Sequence, residues 1–150
     1  MTSLQDYTFE WLASSQIPLA NKFYQQHGIR GKAGRHDRCA VLRDLNGDLV
    51  ASAVLKSKQN YELLTHVGVI NELRRCGLAS RLIRQMEPAF SNRTYCFPFT
   101  YLESLYLSQD FVKVDTSKAL SDVVTQYQIY CKQGREILLM QYQTSNDNMI

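Results

Sequence analysis

The chain has no apolar run near the roughly 20 residues that a membrane-spanning helix needs. Its first residues, Met1-Thr2-Ser3-Leu4-Gln5-Asp6, carry neither a basic segment nor an apolar stretch, so no secretion signal is read there. It has no Cys-x-x-Cys. The four cysteines, Cys39, Cys76, Cys96 and Cys131, are widely and irregularly spaced, which points to free thiols in a reducing cytoplasm rather than a disulfide framework. Only His36 lies near a cysteine, Cys39, and one such pair does not complete four ligands, so no metal site is expected. Charge of one sign is not in large excess. Seventeen Lys and Arg against fourteen Asp and Glu leave +3, far milder than the usual nucleic-acid binder, so no nucleic-acid partner is expected. No internal repeat, low-complexity tract or Pro/Gly/Ser linker divides the chain. Its 150 residues suffice for one core and are too few for two ordinary ones. The expectation is a single cytoplasmic domain over residues 1–150, without a membrane partner, and with a polar tail fraying from Gln143 onward.

What is present is a chain of alternating strand and helix signals. Tyr7 to Ala13 alternates and is aromatic, a strand pattern. Ser15 reads as a helix cap, followed by Leu19, Ala20, Phe23 and Tyr24 at helical spacing, with Gly28 as the stop. Residues Ile29 to Arg38 read as a basic loop. Cys39 to Leu45 and Leu49 to Leu55 form strands around Asn46-Gly47, a hairpin signal in which both residues tolerate positive φ. Tyr61 to Ile70 is a longer strand whose interior Gly68 marks a bulge or a close approach. A helix with Leu78, Ala79, Leu82, Ile83 and Met86 on one face follows, ending at Pro88. Thr94 to Phe99 is a strand, Tyr101 to Leu107 a short helix and Phe111 to Val114 a strand. Leu120 to Cys131 is a helix with Val123, Val124, Tyr127 and Tyr130 inward, closed by Gly134, and Glu136 to Tyr142 is a last strand. An antiparallel meander feeding one β-α-β crossover gives an α+β fold with a mixed sheet.

The chemistry concentrates at Val67 to Leu82. There a strand stops at a short basic turn with a glycine and restarts as a helix. Such a helix start leaves backbone N–H groups free, and the helix dipole adds its positive end, so the segment suits a phosphate. The amides of Arg75, Cys76, Gly77, Leu78, Ala79 and Ser80 would hold a phosphate group. Gly77 would let the backbone approach closely, Arg74 would brace the loop and Arg75 would add charge.

Arg74-x-x-Gly77-x-Ala79 matches the Gln/Arg-x-x-Gly-x-Gly/Ala spacing of the acetyl-coenzyme-A pyrophosphate loop. On these residues the chain resembles the GNAT superfamily of N-acetyltransferases, in particular bacterial-type members of unassigned acceptor. Leu105-Tyr106-Leu107-Ser108-Gln109-Asp110-Phe111 resembles the family's Leu-Tyr-x-x-x-Gly-Phe, with Asp110 in place of the glycine. Phe99 stands about where many members carry an asparagine. The resemblance implies a central mixed sheet of about seven strands with flanking helices, splayed between the fourth and fifth strands to form a cofactor cleft. It implies acetyl-CoA as co-substrate, and Val67-Gly68-Val69 as the segment presenting backbone groups to its pantetheine arm. Tyr106 would be the general acid for the departing thiolate. Glu62 or His66, four residues apart on one strand face, would deprotonate the amine through water, with Glu103 and Asp110 as weaker candidates. The acceptor is a small-molecule or peptide amine. The basic loop is suited to an acidic acceptor or to the adenosine 3′-phosphate. Many members are homodimers, and the C-terminal helix and strand would serve such a contact. A non-catalytic acyl-CoA-binding module on the same fold is the alternative.

Overall fold

The computed structural model describes residues 6–143. The expected tail beyond Gln143 lies outside the described residues. The chain divides into two compact units, one running through Ser57 and resuming over Leu64–Pro88, the other made of Lys58–Leu63 and the chain from Ala89 onward.

In the first unit β1 (Thr8–Trp11), β2 (Arg38–Arg43) and β3 (Leu49–Ser57) form an antiparallel meander, with Phe9 opposite Leu42 and Val41 opposite Ser52. Next to β3 lies β4 (Glu62–Val69), whose first two residues belong to the second unit. Strands β2 and β3 are apolar without alternation because both faces are covered. On one face α1 (Ile17–Gln26) packs Ile17, Ala20, Phe23 and Tyr24 with Cys39, Val41 and Val54. The alternate positions Ala40, Leu42, Ala51, Ala53 and Leu55 are equally buried, and α2 (Leu78–Met86) lies against β2 and β3 with Leu78, Leu82, Ile83 and Met86 buried. Burying side chains of this size stabilises by roughly 1.5–3 kcal/mol each.

Three local expectations change here. A 3-10 turn at Ser14–Gln16 precedes α1, so Ser15 lies inside that turn and Gln16 takes the cap position. Leu19 is 44% exposed rather than inward. In the β2–β3 hairpin Gly47 alone takes positive φ (84°), closing a turn from its N–H to Asp44 O at 3.0 Å. The Asp44 carboxylate accepts from the N–H of Asn46 and Asp48, so a side chain supplies what a second left-handed residue would have given.

In the second unit the order beyond β4 is β5 (Thr94–Cys96), β7 (Met140–Tyr142), β6 (Phe111–Lys113), with β5 and β6 both antiparallel to β7. Seven strands in all make the expected α+β sheet. Strands β5 and β7 are shorter than the apolar runs suggest. Pairing continues past their ends, from Leu138 N–H to Pro98 O and as a bridge between Phe99 and Ile137. Pro98 has no N–H to return, which breaks the ladder. A 3-10 turn at Thr100–Leu102 leads into α3 (Glu103–Leu107). In α4 (Ser121–Lys132) only Val123 is fully buried, while Val124, Tyr127 and Tyr130 are half-buried.

Candidate functional site

The turn between β4 and α2 is built as a row of donors. Ile70 N–H anchors its start to Val50 O at 3.0 Å. Arg75 (φ 66°) and Gly77 (φ 82°) are both left-handed, and Gly77 caps α2. Among the described residues, the backbone N–H groups of Arg75, Cys76, Gly77, Leu78, Ala79 and Ser80 make no hydrogen bond. The first one engaged is that of Arg81, to Gly77 O at 3.1 Å. A glycine meets positive φ without strain, whereas an arginine pays roughly 1–2 kcal/mol for it. Strained residues of this kind cluster at active sites and ligand clamps. The Arg74 Nε donates to Val69 O at 3.4 Å, tying the loop to the end of β4. The exposed Cys76 thiol is directed at Arg74 O, 3.7 Å away. The helix has no acidic side chain in its first turn, so its positive end stands uncompensated there.

The strand leading into this turn is irregular at His66, not at Gly68. His66 has φ 56° in the middle of β4, while Gly68 has no positive φ. Gly68 instead allows a close approach: a Cβ there would lie 2.7 Å from Ile29 Cγ2. The Tyr24 hydroxyl donates to His66 O at 2.6 Å. The left-handed residue breaks the period of two, so the shared strand face expected for Glu62 and His66 has no basis in regular alternation. They also fall in different units. The Glu62 carboxylate makes no hydrogen bond or ion pair among the described residues, and Glu62 is half-buried.

In the second unit, α3 buries the Tyr106 ring edge-on against Phe111 at 5.9 Å. Its hydroxyl has no hydrogen-bond partner among the described residues. Burial, with the nearby Cys96 thiol adding to it, pushes the Tyr106 pKa well up, so the phenol keeps its proton. Asp110 takes φ 68°, the left-handed position that the glycine of the resembled motif would fill, and so preserves the turn into the buried Phe111. Glu103 is engaged with Lys113 at 3.5 Å. Phe99 stacks on Tyr101, ring planes 3° apart.

The basic segment after α1 is a fixed loop. Asn21 holds Ala33 through two hydrogen bonds, of 3.1 and 2.8 Å. Arg38 lies over the Trp11 ring at 4.4 Å, and Asp37 pairs with Lys56 at 3.1 Å. The side chains of Arg30, Lys32 and Arg35 are exposed and make no such contact among the described residues. Among those residues no group of three or more His, Cys, Asp or Glu is placed to hold a metal ion, and no helix is long and apolar enough to cross a membrane.

No family model matches the chain, and no curated protein matches it in sequence. Solved structures do match it in shape. The ribosomal-protein-S18-alanine N-acetyltransferase of Escherichia coli is 19% identical with a TM-score of 0.61, over 91% of this chain and 92% of that one. A Mycobacterium tuberculosis protein solved with CoA is 11% identical with a TM-score of 0.68, over 91% and 99%. The chain has the fold of the GNAT N-acetyltransferases. It also matches the N-acetylglutamate synthase of Neisseria gonorrhoeae, solved with coenzyme A and N-acetyl-glutamate, at 14% identity and a TM-score of 0.64 over 91% of this chain. It spans only 34% of that synthase, so the likeness is to one GNAT-fold part of it.

Sequence reasoning found the donor row through its glycine and its strand-to-helix context. It missed the kink at His66, because nothing about a histidine in an apolar strand marks positive φ.

Proposed function

We propose that the protein is an acetyl-CoA-dependent N-acetyltransferase acting on a primary amine of a small molecule or peptide. The observation that carries this reading is the row of six unengaged N–H groups from Arg75 to Ser80 at the start of α2. A diphosphate needs several converging donors and a positive potential, and a helix start flanked by Arg74 and Arg75 offers both. The two similar proteins solved with coenzyme A support the choice of ligand.

In this reaction the acceptor nitrogen attacks the thioester carbonyl. A C–N bond forms, the C–S bond breaks, and the electron pair leaves on sulfur. The amine must first lose a proton, and Glu62 or His66, through water, takes it. The N–H of the Val67-to-Val69 segment steadies the oxygen as charge develops on it. Tyr106, with its hydroxyl unpaired, passes its hydrogen to the sulfur as the C–S bond breaks, and the second proton shed by the attacking nitrogen restores the phenol. The products are the N-acetyl amine and free CoA thiol.

The test is a thermal melt with acetyl-CoA, followed by turnover against a panel of amines. Ligand at about 100 times its dissociation constant should stabilise by about 2.7 kcal/mol. Stabilisation with turnover supports the reading. Stabilisation with no turnover on any amine favours the non-catalytic binding module, and no stabilisation removes both.

A further inference from the structure

Tyr24 lies in α1, distant in sequence from every residue assigned a role above, yet its hydroxyl ends on the carbonyl of the one left-handed residue in β4. The tyrosine is itself fixed. Its ring is buried in the cluster that holds Phe23, Cys39 and Val41. Gly31 closes the remaining space: a Cβ there would lie 2.9 Å from two Tyr24 ring carbons and 3.0 Å from His66 Cβ. The Asn21–Ala33 hydrogen bonds hold the loop that delivers Gly31.

The 66–67 peptide is trans, as are all the others described. In a trans peptide the C=O and the next N–H are antiparallel and share one plane. Fixing His66 O toward Tyr24 therefore fixes Val67 N–H in the opposite direction, away from the Tyr24 hydroxyl. A left-handed residue departs here from regular strand geometry, so strand alternation does not set the direction of this peptide. The Tyr24 hydroxyl holds its carbonyl end.

We infer that Tyr24 is a positioning residue for acyl transfer: it aims the Val67 N–H at the thioester oxygen by holding the far end of the same peptide. This rests on the functional reading above. Because the N–H is needed where charge develops, its aim should matter to the transition state more than to cofactor binding. Loss of one such donor costs about 10²–10³ in kcat, and a donor that is present but misdirected should cost about tenfold or more.

The experiment compares four proteins in steady-state turnover, acetyl-CoA titration and thermal melts: the unaltered chain, Tyr24→Phe, Gly31→Ala and Asn21→Ala. Tyr24→Phe should lower kcat at least about tenfold, with the acetyl-CoA dissociation constant within about twofold. Gly31→Ala, which displaces the tyrosine while keeping its hydroxyl, should shift the balance the same way, and serves if Tyr24→Phe does not fold. Asn21→Ala, which loosens the loop that delivers Gly31 but leaves the Tyr24 hydroxyl on His66 O, should lower the melting temperature with a smaller loss of kcat than Tyr24→Phe. The amide resonance of Val67 should move further in Tyr24→Phe than in Asn21→Ala. A folded Tyr24→Phe enzyme with unaltered kcat overturns the inference. So does a loss of kcat that Asn21→Ala reproduces in proportion to its loss of stability. An unaltered chain with no turnover on any amine overturns the functional reading, and this inference with it.

Discussion

Replacing Gly77 by alanine is the sharpest perturbation of the donor row. Gly77 caps α2 with φ 82°, between the left-handed Arg75 and the buried Leu78. An L-residue held at that φ costs roughly 1–2 kcal/mol. The chain has two responses. It can keep the turn and lose that stability, in which case a chain of this length should melt about 2–8 °C lower. Alternatively it can relax φ to a negative value, which redirects the N–H groups that precede α2. Then the cost falls on ligand affinity, and 1–2 kcal/mol is a factor of roughly 5–30 in the dissociation constant. Melting curves with and without coenzyme A separate the two, since the ligand-induced rise falls only in the second case. Either outcome, or any division between them, fits the reasoning. A Gly77→Ala protein that melts where the unaltered chain melts and binds coenzyme A as tightly would refute it.

Other outcomes follow from the same geometry. Tyr106→Phe should lower kcat about 10²-fold or more while coenzyme A binding holds, because its hydroxyl is assigned to the leaving sulfur alone; unchanged turnover would remove the acid assignment. Burial raises the pKa values of Tyr24 and Tyr106, so the folded state holds these protons more tightly than the unfolded chain. Their contribution to stability is therefore complete below the ordinary tyrosine pKa of about 10 and is lost as pH rises above it. Melting temperature from pH 8 to 11 should show a decline confined to the alkaline end, and Tyr106→Phe should reduce its slope. Leu82→Ala removes a fully buried side chain of α2 and should destabilise by about 2–5 kcal/mol in denaturant titration, without a direct effect on Tyr106.

The amphipathic elements were legible in the sequence because burial imposes a period. The four buried residues of α2 recur at helical spacing, and β2 and β3 read as strands from their unbroken apolar runs. The donor row was legible because glycine and the strand-to-helix switch are local features. Positions set by distant groups were not. Asp110 holds a left-handed turn where a glycine was the familiar signal, and the Asp44 carboxylate replaces a second left-handed residue in the hairpin. The kink at His66 is secured by Tyr24, 42 residues away, and no local pattern in β4 announces it. The shortening of β5 and β7 was readable after the fact from Pro98, whose missing N–H outweighs the aromatic run around it.

The central claim is that the N–H groups from Arg75 to Ser80 receive the diphosphate of coenzyme A. Amide-resolved NMR during a coenzyme A titration tests it directly. The largest shifts should fall on residues 75–80, saturate together and weaken in Gly77→Ala. Saturable binding whose shifts lie elsewhere, with residues 75–80 unmoved, would contradict the claim.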